Sequence, residues 1–208
     1  MGKGKLIFKY GCMGSGKSLQ LLATANNFSE HSIPFLIFKS AIDTRDGGDV
    51  VRSRDGKERE CIEVTPTDNL FTLISDVCVY NSNYIASPDS EKLKWILVDE
   101  AQFLTEKQVD ELAAIADIFG INILCYGLRT DFTTHLFPSS KRLFEIADSF
   151  EEIKSSCFCG SKTIFNARVN QDMELELSGE QIEPGDEGRY VSLCRKCFLQ
   201  KAKNKYYI

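Results

Sequence analysis

Three groups of residues in this 208-residue chain have types and spacing suited to chemistry. The first is GCMGSGKS, Gly11 to Ser18, which fits the pattern G-x-x-x-x-G-K-[ST]. Gly11, Gly14 and Gly16 let successive backbone N–H groups turn inward, with Cys12, Met13 and Ser15 between them, and so form a concave anion nest. Lys17 would reach the β- and γ-phosphates of a nucleoside triphosphate, and the Ser18 hydroxyl would ligate Mg²⁺. The second group is Asp99 and Glu100, at the end of the apolar run WILVDE. Asp99 fits the acid that holds Mg²⁺ beside such a nest, and Glu100 could accept a proton from an attacking hydroxyl or water. Paired acids at a strand end can also be solvated or cap the next helix. The third group is Cys157 and Cys159 with Cys194 and Cys197, two close pairs that suit a closed, structural tetrahedral Zn²⁺.

The elements that position these groups can be read from the pattern. Residues 5–10 read as a short buried strand and 17–29 as a helix, so the glycine loop lies between strand and helix. Residues 32–40, 92–100 and 121–127 read as further buried strands, apolar on successive residues as parallel strands covered on both faces are. Thr105 with Gln108 three residues on predicts a capped helix start, and Gly120 a left-handed stop. The polar segment from Asp43 to Lys57 reads as a loop or exposed hairpin. Strand–helix alternation implies right-handed crossovers and a parallel sheet. The expected fold is α/β, a P-loop NTPase-like parallel sheet flanked by helices, with a small C-terminal zinc-binding lid lobe. From about Ser155 cysteine pairs and glycine-rich turns take over, which places the division at 1–154 and 155–208.

Composition narrows the classes. Hydrophobic residues are 43% and charged residues 26%, the profile of an ordinary soluble globular protein. No apolar run approaches the roughly 20 residues of a membrane span, and the start, MGKGKLIFKYG, lacks a cleavage-site pattern. The net charge of −5 argues against nucleic acid as the main partner; the basic tail from Arg195 to Lys205 reads as solvated surface. Cysteine pairs without an export signal suggest metal in a reducing cytoplasm rather than disulfides. The scattered Cys12, Cys61, Cys78 and Cys125 read as packing residues.

GCMGSGKS, DTR (43–45), DEAQF (99–103), YGLRTDF (126–132) and GRYVSLCRKC (188–197) together resemble the type II thymidine kinases, over nearly the whole chain. The resemblance implies MgATP-dependent phosphorylation of the 5′-hydroxyl of thymidine or deoxyuridine. It makes Glu100 the base and Asp99 metal-associated, places Asp43, Arg45 and Gln102 with the nucleotide, and implies a pyrimidine pocket of Phe103, Leu128, Phe132 and Tyr190. A loop from Ile182 through Gly185 to Tyr190 would hold the base with backbone groups. The residues alone leave Phe103 and Phe132 equally open as core. The resemblance further implies a cytoplasmic homotetramer inhibited by dTTP. Two other readings stay open at this point: a nucleic-acid-stimulated P-loop ATPase, and a zinc-ribbon binding module using nucleotide as a switch. Glu100 separates the last, since a switch needs no base aimed at an acceptor.

Overall fold

The computed structural model describes residues 3–43, 49–80 (backbone alone for 76–80), 92–179, 181 and 189–202. Its centre is a six-stranded parallel sheet of β1 (Leu6–Tyr10), β2 (Phe35–Ser40), β5 (Ile62–Val64), β6 (Trp95–Asp99), β7 (Asn122–Gly127) and β8 (Ser149–Glu152), in the order β5-β2-β6-β7-β1-β8. Two short antiparallel strands, β3 (Val50–Arg52) and β4 (Glu58–Glu60), form a hairpin that starts inside the polar segment Asp43–Lys57 expected to be loop or hairpin and runs three residues past its end.

Side chains alternate across the strands, so the continuous apolar runs feed two cores. Leu36 and Phe38 of β2 and Ile96 and Val98 of β6 pack with α2 (Leu70–Tyr80), α3 (Glu106–Phe119) and α4 (Pro138–Ile146). Phe35 and Ile37 of β2 and Leu97 of β6 pack instead against Leu21, Leu22, Ala25 and Phe28 of α1 (Lys17–Glu30). Helices therefore cover both faces, the arrangement that makes a wholly parallel sheet stable.

Local signals explain the boundaries. Thr105 Oγ1 accepts from the Gln108 N–H at 3.1 Å while Gln108 Oε1 accepts from the Thr105 N–H at 3.0 Å, so the expected capping box is present. Gly120 ends α3 at φ 70°, as its position predicts. Strand β2 begins at Phe35, three residues later than the pattern suggests, because Pro34 cannot donate to the ladder. Beyond β8, β9 (Phe165–Arg168) and β10 (Tyr190–Leu193) pair antiparallel, and α5 (Arg195–Lys201) packs on them through Phe198. No helix among the described residues is long and apolar enough to cross a membrane.

Candidate active site

The glycine loop joins β1 to α1 at the carboxyl edge of the sheet, as the pattern requires. Gly11 lies so close to the loop's far side that a Cβ there would sit 2.4 Å from Ser15 Oγ and 2.6 Å from the Ile153 carbonyl. Gly16 is the N-cap of α1 in the left-handed region, φ 86°, and gives the helix no side-chain cap. No acid lies in the first turn of α1. Its N-terminus thus has no side-chain cap, in contrast to the closed capping box of α3, and a helix start of this kind suits an anion. The Lys17 ammonium is buried and donates to the Cys12 carbonyl at 3.1 Å.

Asp99, the first of the acid pair, meets this loop. Ser18 Oγ donates to Asp99 Oδ2 at 3.0 Å, joining the first turn of α1 to the end of β6. Asp99 Oδ1 is buried without a hydrogen-bond partner among the described residues. Burial, reinforced by the Glu100 charge, pushes the Asp99 carboxyl up to about 7; the Ser18 hydroxyl and the Lys17 ammonium pull the other way. An orphaned carboxylate oxygen beside a hydroxyl is a donor set that fits Mg²⁺. Glu100 follows at φ 49°, a left-handed conformation that is strained for a residue with a Cβ, and starts the one-turn 3-10 helix Ala101–Phe103. Its Oε2 accepts from Gln102 Nε2.

Asp43 is buried, its Oδ2 3.6 Å from the Lys39 ammonium, and Lys39 stands in register with Asp99 on the adjacent strand. Arg45, Ile182 and Gly185 lie outside the described residues. Gln102, expected with the nucleotide, spends both ends of its amide on Glu100 and on the Leu128 N–H, the latter at 2.9 Å. Phe103 is half-buried with its ring edge-to-face on Phe137 at 6.0 Å. Phe132 is 1% exposed beneath the Arg168 guanidinium, 3.7 Å from the ring centroid, and Arg168 pairs with Glu176 at 2.9 Å. Tyr190 faces Arg168 in the β9–β10 ladder.

Sequence reasoning missed the grip on the phosphate loop. Asn166 Oδ1 accepts from the Met13 N–H at 2.8 Å, and its Nδ2 donates to the Thr130 carbonyl at 3.0 Å. Ser192 Oγ donates to the Met13 carbonyl at 2.7 Å. Both peptide groups of Met13 are therefore held by β9 and β10. The available signal is FNAR in β9: Phe165 and Ala167 enter a small apolar core, yet Asn166 and Arg168 on the other face are also buried. Buried polar residues at alternate positions need partners.

The four cysteines of the two pairs converge, with all Sγ atoms within 4.8 Å of one another. Cys159 and Cys194 Sγ are 3.5 Å apart. Tetrahedral zinc with Zn–S near 2.3 Å separates its sulfurs by about 3.8 Å, so the set fits that ion. The short C-F-C spacing is accommodated by a left-handed turn at Gly160, φ 82°, within the bridge between Ser156 and Lys162. Hydrogen bonds from Ser161 lower the Cys159 thiol to about 6, while its cysteine neighbours push Cys197 up to about 12. Crowded thiolates of this kind need a cation to ionise together. Of the scattered cysteines, Cys12, Cys61 and Cys125 are buried, in keeping with packing roles.

Comparison with known proteins agrees with this arrangement. A family model described as "Thymidine kinase" matches residues 4–198. The chain is 43% identical over 197 residues to the thymidine kinase of Zymomonas mobilis, covering 95% of this chain and 97% of that protein. It is 41% identical over 198 residues to the thymidine kinase of Enterobacteria phage T4, with 95% and 97% covered. A glycine loop of the phosphate-binding pattern, an aspartate in contact with it and a four-cysteine cluster, all within a match that spans nearly every residue, place the chain in the thymidine kinase family.

Proposed function

We propose that this chain transfers the γ-phosphoryl group of MgATP to the 5′-hydroxyl of thymidine. The observation that carries the reading is the 3.0 Å contact between Ser18 and Asp99, which brings the phosphate loop and the residue preceding Glu100 to one place. In this reading the backbone amides of residues 11–18 and the Lys17 ammonium hold the β- and γ-phosphates. Ser18 and Asp99 would hold Mg²⁺, which when bound offsets charge on the phosphate oxygens. Glu100 takes the proton from the 5′-hydroxyl as the bond from that oxygen to the γ-phosphorus forms. The bond to the β–γ bridging oxygen breaks, and ADP leaves with its electron pair.

Phe103, Leu128, Phe132 and Tyr190, with Ile182 and Gly185, would form the pyrimidine pocket, where aromatic faces suit a flat base. Asp43 and Arg45 would lie near the phosphates. Cys157, Cys159, Cys194 and Cys197 would hold structural Zn²⁺ in a lid lobe over residues 155–208, beside a nucleotide-binding domain over 1–154. A homotetramer in a reducing cytoplasm, inhibited by dTTP, completes the proposal. Purified protein with MgATP should form ADP only when thymidine is added. Stimulation by DNA in place of thymidine would overturn the reading in favour of an ATPase.

A further inference from the structure

Beside Glu100 lies a group of buried polar side chains, Gln102, Ser139 and Ser140. Its centre is Gln102, 2% exposed, in the one-turn helix after β6. The Leu128 N–H can only donate, so it fixes which end of the amide faces it: Oε1 accepts there, and Nε2 is turned to donate to Glu100 Oε2. Gly127 allows the close approach, since a Cβ at that position would lie 3.0 Å from Gln102 Oε1 and 3.1 Å from its backbone nitrogen. Two buried serines at the start of α4 anchor both backbones. Ser139 Oγ donates to the Ala101 carbonyl at 2.9 Å, and Ser140 Oγ to the Leu128 carbonyl at 2.6 Å.

We propose that Gln102 is the positioning residue for Glu100: its carboxamide orients the carboxylate and couples it to Leu128. The inference rests on the reading of Glu100 as the base. The chemistry of the site admits few alternatives to an amide. The position needs a donor at one end, for a carboxylate, and an acceptor at the other, for a backbone N–H. Leucine offers neither, glutamate lacks the donor, and asparagine is one methylene short. Glu100 also sits at a left-handed φ of 49°, a conformation that persists where surrounding contacts over-determine it. With the carboxamide in place, base and Leu128 form one rigid unit, so a nucleoside seated on Leu128 meets a carboxylate already turned toward its hydroxyl.

The test compares Gln102→Leu, Gln102→Glu, Glu100→Gln and the double variant Glu100→Gln/Gln102→Leu, with thermal melting to confirm the fold. Gln102→Leu should lower kcat by about 10- to 100-fold, the scale of an ångström-level misplacement, with KM for ATP within about twofold of the parent. Gln102→Glu keeps the acceptor for Leu128 but loses the donor, and should show the same loss; it serves as the measured variant if Gln102→Leu does not fold. Because Gln102 acts through Glu100, the double variant should be no slower than Glu100→Gln alone. A raised KM for ATP with unchanged kcat would make Gln102 a nucleotide ligand and overturn the proposal. Multiplied losses in the double variant, or a parental kcat in Gln102→Leu beside a crippled Glu100→Gln, would overturn the proposal and leave the base reading standing. Parental turnover in Glu100→Gln would overturn the base reading, and the proposal with it.

Discussion

Replacing Asn166 with leucine, similar in size and shape, tests whether the cysteine-bearing end of the chain holds the phosphate loop in its working form. The change removes the acceptor for the Met13 N–H and the donor to the Thr130 carbonyl. Thr130 is buried, and Met13 is half-buried, so its N–H recovers part of its bonding from water. At about 1–3 kcal/mol for an orphaned buried group at Thr130 and about 0–1 kcal/mol at the part-exposed Met13, the expected loss of stability is about 1–4 kcal/mol. For a chain of this size that lowers the melting midpoint by roughly 2–16 °C, and leaves a folded protein if its stability lies in the usual range of about 5–15 kcal/mol. The Met13 N–H also loses its anchor while Ser192 keeps its hold on the Met13 carbonyl, so the loop amides must be ordered in part by the nucleotide itself. Affinity for MgATP should fall about tenfold, equivalent to about 1.4 kcal/mol. Calorimetric titration with MgATP beside thermal melting separates the two effects. Ser192→Ala, which deletes one donor to the Met13 carbonyl, should show a smaller loss of the same kind, about 1 kcal/mol in stability. An Asn166→Leu protein that melts early yet binds MgATP as tightly as the parent would refute the reasoning, because the contact would then be packing alone.

Two further outcomes follow from the same geometry. Cys194→Ser should drop bound zinc from about one per chain to well below one by metal analysis, and should weaken MgATP binding as well, because β10 runs directly into Cys194 and carries Ser192; unchanged metal content would contradict the four-thiolate site. The ligand-free protein should depend on pH through Asp99. Its native carboxyl, at about 7, holds a proton more tightly than the unfolded value near 3.9, so its contribution to stability is fully present below about pH 4 and lost as pH rises through about 7. Urea midpoints of the parent should therefore fall between pH 5 and pH 8 relative to Asp99→Asn, and a constant difference across that range would contradict the assignment.

What the sequence made legible was local structure written in neighbouring residues. The glycine loop between β1 and α1, the Thr105–Gln108 box and the Gly120 stop each lie within a few positions, and a local pattern with a physical cause can be read locally. The apolar runs of β2, β6 and β7 announced a sheet covered on both faces. Two elements carried no such signal. Strand β8, SFEE, is nearly all exposed at the sheet edge and shows no alternation. Helix α4 buries Ser139 and Ser140 beside Leu143, so serines that bond to backbone carbonyls stand where an apolar stripe would be looked for. The hold of Asn166 on Met13 spans 153 positions and follows from topology alone. Gln102 was visible within DEAQF, but its direction was not: only the placement of Leu128 turns its amide toward Glu100.

The most direct measurement of the central claim is turnover and nucleotide binding in Glu100→Gln, which keeps the size of the side chain and removes its basicity. MgATP should bind as in the parent, while thymidine-dependent ADP formation falls by about 10² or more, the scale of a lost general base. Near-parental turnover with thymidine would contradict the account, since the carboxylate beside the phosphate loop would then have no part in moving the proton.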